Sequence, residues 1–146
     1  MPDTDQIVNV LLLLMVGAAA IEDLKTGRIN IILAAAGTGL CLSLQLLSGM
    51  FRFGDAALGA GVGVLMLLLG YASSQAIGYG DGVILTATGC VLGGSYNFLL
   101  LLCSLLFSAL YSIVVLILRR RKKTDRIPFV PFVLGGLVLL TGVYKC

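Results

Sequence analysis

FLLLLCSLLFSALYSIVVLILRRRKK, Phe98 to Lys123, decides the fold: 21 residues without a charge run directly into five consecutive cations. At 1.5 Å per residue, a helix of that length crosses the roughly 30 Å of hydrocarbon in a bilayer. Working outward, further apolar stretches run from Ile7 to Ile21, Ile29 to Leu47, Ala56 to Ile77, Val83 to Leu92 and Phe129 to Tyr144. The pattern predicts an all-α membrane protein, a polytopic bundle of about six transmembrane helices that forms one membrane-embedded domain over 1–146. The second, third and fifth stretches reach the length of a span. The first and last are somewhat short. Val83 to Leu92 is too short alone and must gain length from its glycine-rich flanks or sit shielded inside the bundle.

Composition agrees. Of 146 residues, 59% are hydrophobic and 12% charged, with a mean hydropathy of +1.07, against about 25% charged in an ordinary soluble domain. Ten Lys or Arg and seven Asp or Glu are too few to cover a water-soluble globule of this size. The net charge of +3 and pI near 8.8 do not mark a nucleic-acid binder, because the cations flank hydrophobic segments. Histidine is absent, and Cys41, Cys90, Cys103 and Cys146 form no CxxC pair or zinc spacing, so no metal or other cofactor is expected. Asp3 and Asp5, with no Lys or Arg before the first apolar stretch, argue against a cleaved signal peptide.

Position matters more than net charge. With six spans, one side of the membrane receives Lys25, Arg28, Arg119, Arg120, Arg121, Lys122, Lys123 and Arg126, and the other only Arg52 and Lys145. The positive-inside rule puts the first side in the cytoplasm and both termini outside. The 19 glycines suit membrane helices whose backbones approach closely. The Gly59/Gly63 and Gly89/Gly93 spacings read as helix packing, and no P-loop or dinucleotide-binding context surrounds them.

Most carboxylates then have ordinary roles: Asp3 and Asp5 in a polar tail, Asp55 in the outside loop after Arg52, and Asp125 among cytoplasmic cations. Glu22 is an interfacial neighbour of Asp23. Asp23 and Asp81 stand out because each sits where hydrocarbon begins, and an ionisable group there is a functional candidate. The topology puts both at one membrane face, Asp23 ending a span that enters the cytoplasm and Asp81 beginning one that leaves it. Two adjacent carboxylates share a proton, an arrangement that supports peptide hydrolysis, one acting as general base on water and the other polarising the scissile carbonyl. Gly78, Gly80 and Gly82 would let a substrate backbone or a partner helix approach Asp81. The competing reading has Asp81 capping its helix and Asp23 pairing with Lys25 or Arg28. Spacing alone does not choose between them.

IGYGDG, Ile77 to Gly82, resembles the GxGD motif of membrane-embedded aspartyl proteases, and VILTATGCVLG after it resembles the helix that follows in type IV prepilin peptidases. IEDLKTGRIN, Ile21 to Asn30, resembles that family's first catalytic segment, and RIPFVPFVLGG, Arg126 to Gly136, its IPFxPF segment. Three motifs in order are more specific than GxGD alone. The chain departs from the family pattern at three points: Asn30 and Ile31 follow Ile29 where Pro-Asn is usual, Val83 stands where Lys is common, and Val130 replaces the usual Gly. The large cytoplasmic insertion with paired CxxC motifs of the methylating members is absent.

The resemblance implies an aspartic endopeptidase with catalytic Asp23 and Asp81, an active-site loop containing Gly78 and Gly80, and no methyltransferase activity. Its partners would be membrane lipid and a prepilin or pilin-like precursor cut at the cytoplasmic face of the cell membrane, with no nucleic acid. The oligomeric state is not specified. Pro128 and Pro131 read as a helix start, Phe129 and Phe132 as interfacial packing, and Tyr79 as an interfacial aromatic beside the site. Two alternatives are an intramembrane protease of the presenilin and signal-peptide-peptidase kind, whose Tyr-Asp pair is Glu22-Asp23 here, and a non-catalytic membrane scaffold or transport subunit.

Overall fold

Each of the six apolar stretches becomes a helix in the computed structural model, which describes residues 2–27, 29–49, 51–72, 79–118 and 128–143. The helices are α1 (Pro2–Thr26), α2 (Ile31–Leu47), α3 (Phe53–Ala72), α4 (Tyr79–Leu92), α5 (Gly94–Ile117) and α6 (Val130–Val143). Three stretches within them are long and apolar enough to cross a membrane: Thr4–Thr26, Phe53–Ala72 and Gly94–Ile117. The expectation of a short first span is therefore corrected. The supposed polar tail is helical, because Pro2 suits a helix start and acidic residues such as Asp5 suit its positive end. Conversely, α2 has 17 residues and is shorter than expected, because Asn30 caps it and Ile29 stays in the turn.

The α1–α2 turn has a local cause. Gly27, at φ 62°, adopts the left-handed conformation that commonly ends helices, and its N–H donates to the Asp23 carbonyl at 2.9 Å. Asn30 then starts α2, its side-chain oxygen accepting from Ile32 N–H at 3.0 Å. Between α4 and α5 a single residue, Gly93 at φ 83°, turns the chain, a conformation that an L side chain resists.

Helices α1, α2, α4, α5 and α6 form a ring by successive contacts, closed where α6 packs on α1, and α3 lies against α4 and α5. Along this ring α2 and α4 run parallel, Ile29 meeting Gly80 at one end and Gln45 donating to the Val91 carbonyl at the other, while α3 runs antiparallel to α4, with Gly59 facing Gly89 and Gly63 facing Thr86. The core is made by Leu12, Val16 and Ala19 of α1, Ala34 and Cys41 of α2, Ile84 of α4, Leu100 of α5 and Val133 and Leu137 of α6. The short helix α4, flanked by α2, α3 and α5, buries Gly82, Ile84, Leu85, Ala87, Thr88, Gly89 and Val91. Its 14 residues span only about 21 Å. Both expected compensations occur, since its start reaches back through Gly80 to Tyr79 and its surroundings are protein.

Small residues make the α3–α4 contact, as their spacing predicts. A Cβ on Gly59 would strike the Gly89 carbonyl, and one on Gly63 would strike the Thr86 backbone. At this approach Asn97 of α5, fully buried, donates through Nδ2 to the carbonyls of Gly59 and Leu85, at 2.9 Å each. Its Oδ1 accepts from Thr88 Oγ1 at 2.9 Å. Outward-facing positions are apolar instead, including Leu58, Leu65 and Leu68 of α3 and Leu102, Leu106 and Ile113 of α5. Water would not tolerate so extensive an apolar surface, whereas lipid does.

Candidate active site

Asp23 lies in the last turn of α1 and is 8% exposed. Its Oδ2 accepts a hydrogen bond at 3.3 Å from the Val130 backbone N–H, across 107 residues of sequence. The start of α6 explains the donor. The Phe129 carbonyl accepts from Phe132 N–H at 2.9 Å and Val133 N–H at 3.3 Å, so Phe129 is the capping residue and Val130 the first helical one. That N–H has no partner within its own helix, and the Asp23 carboxylate supplies one. The C-terminal end of α1 carries the negative end of a helix dipole, and the start of α6 brings a positive end beside the same carboxylate.

Asp81 lies in the first turn of α4 and is partly exposed. It stands inside the helix rather than at the capping position, because α4 already includes Tyr79 and Gly80. A Cβ at Gly80 would collide with the side chain of Ile29. Ile29 follows Asp23 by six positions and packs against the core cluster, so the segments carrying the two aspartates touch at Ile29 and Gly80. The end of α1, the start of α4 and the start of α6 therefore meet at one end of the bundle, as the topology predicts for Asp23 and Asp81.

Gly80, expected in an active-site loop, is instead helical in the first turn of α4; Gly78, the other residue of that expectation, lies outside the described residues, as do Arg28, the cations from Arg119 to Arg126, and Lys145. Tyr79 is 43% exposed next to Asp81. Asp55 is in the first turn of α3 rather than in a loop, and it pairs with Arg52 at 3.2 Å at the opposite end of the bundle from Asp23.

Two contacts near the site are not visible in residue types. The Val130 donor is a backbone group, so no side-chain chemistry announces it, although two prolines bracketing a helix start mark the place. The second is the Glu22 carboxylate, which accepts from Asn30 N–H at 3.2 Å. An acidic residue directly before Asp23 was its only sequence signal. Asn97, by contrast, has a clear signal in its residue type, as an amide in an apolar helix needs internal partners.

Fold and site together define a multi-pass helical membrane protein that gathers two carboxylates, on separate helices, at one end of its bundle. The chain belongs to the type IV leader peptidase family, whose model matches residues 10–117. It is similar to the prepilin leader peptidase/N-methyltransferase of Aeromonas salmonicida (strain A449), 35% identical over 109 residues that make up 69% of this chain and 38% of the relative. The protein of the same description from Aeromonas hydrophila matches at 35% identity over 109 residues. The match thus spans well under half the length of these relatives. No solved structure matches the chain.

Proposed function

We propose that this chain is an aspartic endopeptidase of the cell membrane that removes the short basic leader from type IV prepilins or pilin-like secretion subunits. Both termini face outside and the site faces the cytoplasm, an orientation supported by the concentration of Lys and Arg on that side. Asp23 and Asp81 form the catalytic pair. One, ionised, takes a proton from a water molecule as it attacks the scissile carbonyl carbon; the other, protonated, donates to the carbonyl oxygen. Collapse of the tetrahedral intermediate breaks the C–N bond, and the leaving amine takes a proton from the pair. Methyl transfer is not part of the proposal, because the 146 residues contain no CxxC pair.

The observation that carries this reading is the Val130 N–H bond to Asp23, which ties the IPFxPF-like segment to the first aspartate. Pairing of Asp23 with Lys25 or Arg28 would not require that partner. The test is to express Asp23→Asn and Asp81→Asn separately and follow shortening of a leader-bearing precursor. Each variant is expected to accumulate normally and to lose processing, and normal processing by either one defeats the proposal. The N-terminus of the product distinguishes leader removal from a cut within the hydrophobic helix.

A further inference from the structure

We propose that Glu22 and Asn30 are a positioning pair that closes the α1–α2 turn and seats Ile29 against Gly80, fixing the spacing of the two aspartate-bearing segments. The inference rests on the reading of Asp23 and Asp81 as the catalytic pair. Glu22 precedes Asp23 directly, in the last turns of α1, so its side chain and that of Asp23 leave the helix about 100° apart. Asp23 meets α6, and Glu22 reaches forward to the Asn30 backbone N–H at 3.2 Å. Asn30 is doubly engaged, because its own side chain caps α2 through Ile32 N–H at 3.0 Å. Its neighbour Ile29 is thereby held between two anchored points, one on α1 and one at the start of α2.

The consequence lies at Gly80. Ile29 Cδ1, Cγ1 and Cβ all fall within reach of the place a Cβ would occupy on Gly80, which leaves no room for a side chain at position 80 while Ile29 stays in place. A turn that loosened would let Ile29 withdraw, and Asp81 would then lose its stop relative to Asp23. Proper positioning of reacting groups is sensitive at the ångström scale, so a bond remote from the reacting atoms can act on the rate.

The backbone of Asn30 offers a way to test the pair rather than the residues. It lies at φ −76° and ψ 105°, within the range that a proline ring imposes. Proline at position 30 would hold the turn by its fixed φ while removing the N–H that Glu22 accepts. It would also replace the cap, so each Glu22 variant is compared with the parent carrying the same residue at position 30.

The experiment measures kcat and KM for cleavage of a leader-bearing precursor by full-length protein in proteoliposomes. Glu22→Ala is expected to lower kcat about tenfold with KM within about twofold, as loss of a hydrogen bond to a charged group that positions rather than binds. Glu22→Gln, which keeps an acceptor oxygen, is expected to retain most activity. In the Asn30→Pro background, Glu22→Ala is expected to change kcat by less than about twofold, because the bond is already gone. Equal losses in both backgrounds, or no loss in either, overturn the pair. Should Glu22→Ala fail to accumulate, recovery of accumulation and cleavage in Glu22→Ala/Asn30→Pro supports the inference and continued failure overturns it. Asp23→Asn and Asp81→Asn run alongside: cleavage by either overturns the site reading, whereas their inactivity with a fully active Glu22→Ala overturns only the positioning pair.

Discussion

The α3–α4–α5 contact and the aspartate end of the bundle solve opposite problems with similar materials. At the first, glycine backbones meet and a fully buried Asn97 spends its amide on two carbonyls and a threonine hydroxyl. Polar groups there serve to lock three helices together, as interhelical hydrogen bonds do in membranes. At the second, the polar groups are carboxylates, one buried and one partly exposed. Contacts that reach this end include the Val130 N–H on Asp23 and the packing of Ile29 on Gly80 beside Asp81. The first region is built for stability. The second places a buried Asp23 and a partly exposed Asp81 at one end of the bundle, and carboxylates at the end of an apolar span are functional candidates.

The sharpest way to break this comparison is to exchange the consequences. Replacing Asp81 with Asn is expected to reduce precursor cleavage by about 10²- to 10⁴-fold, the range for losing a general acid or base, while thermal unfolding in detergent stays within a few degrees of the parent. Gly59→Val is expected to do the reverse in kind. The added carbons would meet the backbone of Gly89 and Gly93, which cannot rotate aside, so α3 must lift from α4. Overpacking of this sort costs about 1–3 kcal/mol, seen as a lowered unfolding temperature and poorer accumulation. Any activity loss should scale with the amount of folded protein. A Gly59→Val protein that is fully stable but inactive would contradict the division of labour.

The link between α1 and α6 gives a finer test. Val130→Pro removes the N–H that Asp23 accepts, at the first helical position, where proline is best tolerated. Val130→Ala keeps the N–H and removes only buried side-chain carbons. Cleavage by the proline variant is expected to fall about tenfold below the alanine variant, in line with a hydrogen bond to a charged acceptor. Equal rates for the two would mean that the bond does not orient Asp23.

The same contrast explains what could be seen in the sequence. Apolar run lengths gave six helices in the right places, because burial in lipid is written in consecutive residues. The GxxxG spacings marked helix packing for a similar reason, since small residues one turn apart share one helix face, while the pairing of α3 with α4 appears only in the fold. The first helix is longer than its apolar stretch because Asp3 and Asp5 look like tail by polarity, whereas a helix does not end where hydrocarbon ends. Asp23 and Asp81 were legible as polar exceptions at span ends. What joins them was not. Val130 and Asn30 donate to Asp23 and Glu22 through main-chain N–H groups, and every residue but proline carries one. Their alignment is a product of helix packing over long sequence distances, with no side-chain signature to read.

Asp55 is the quiet control for both regions. It is the same residue type as Asp23 and Asp81 and, like Asp81, occupies the first turn of a helix, so residue type and helix position do not tell it from Asp81. Its surroundings do: it pairs with Arg52 at 3.2 Å with side chains 81% and 47% exposed, away from the end where Ile29 meets Gly80. An exposed pair of this kind contributes about 0–1 kcal/mol. Asp55→Asn is therefore expected to leave cleavage within about twofold and to lower stability by less than about 0.5 kcal/mol, measured by precursor processing and thermal unfolding on the same preparation. If Asp55→Asn abolished cleavage as Asp81→Asn should, a carboxylate at either end of the bundle would matter equally, and the assignment of the chemistry to the end shared by α1, α4 and α6 would fail.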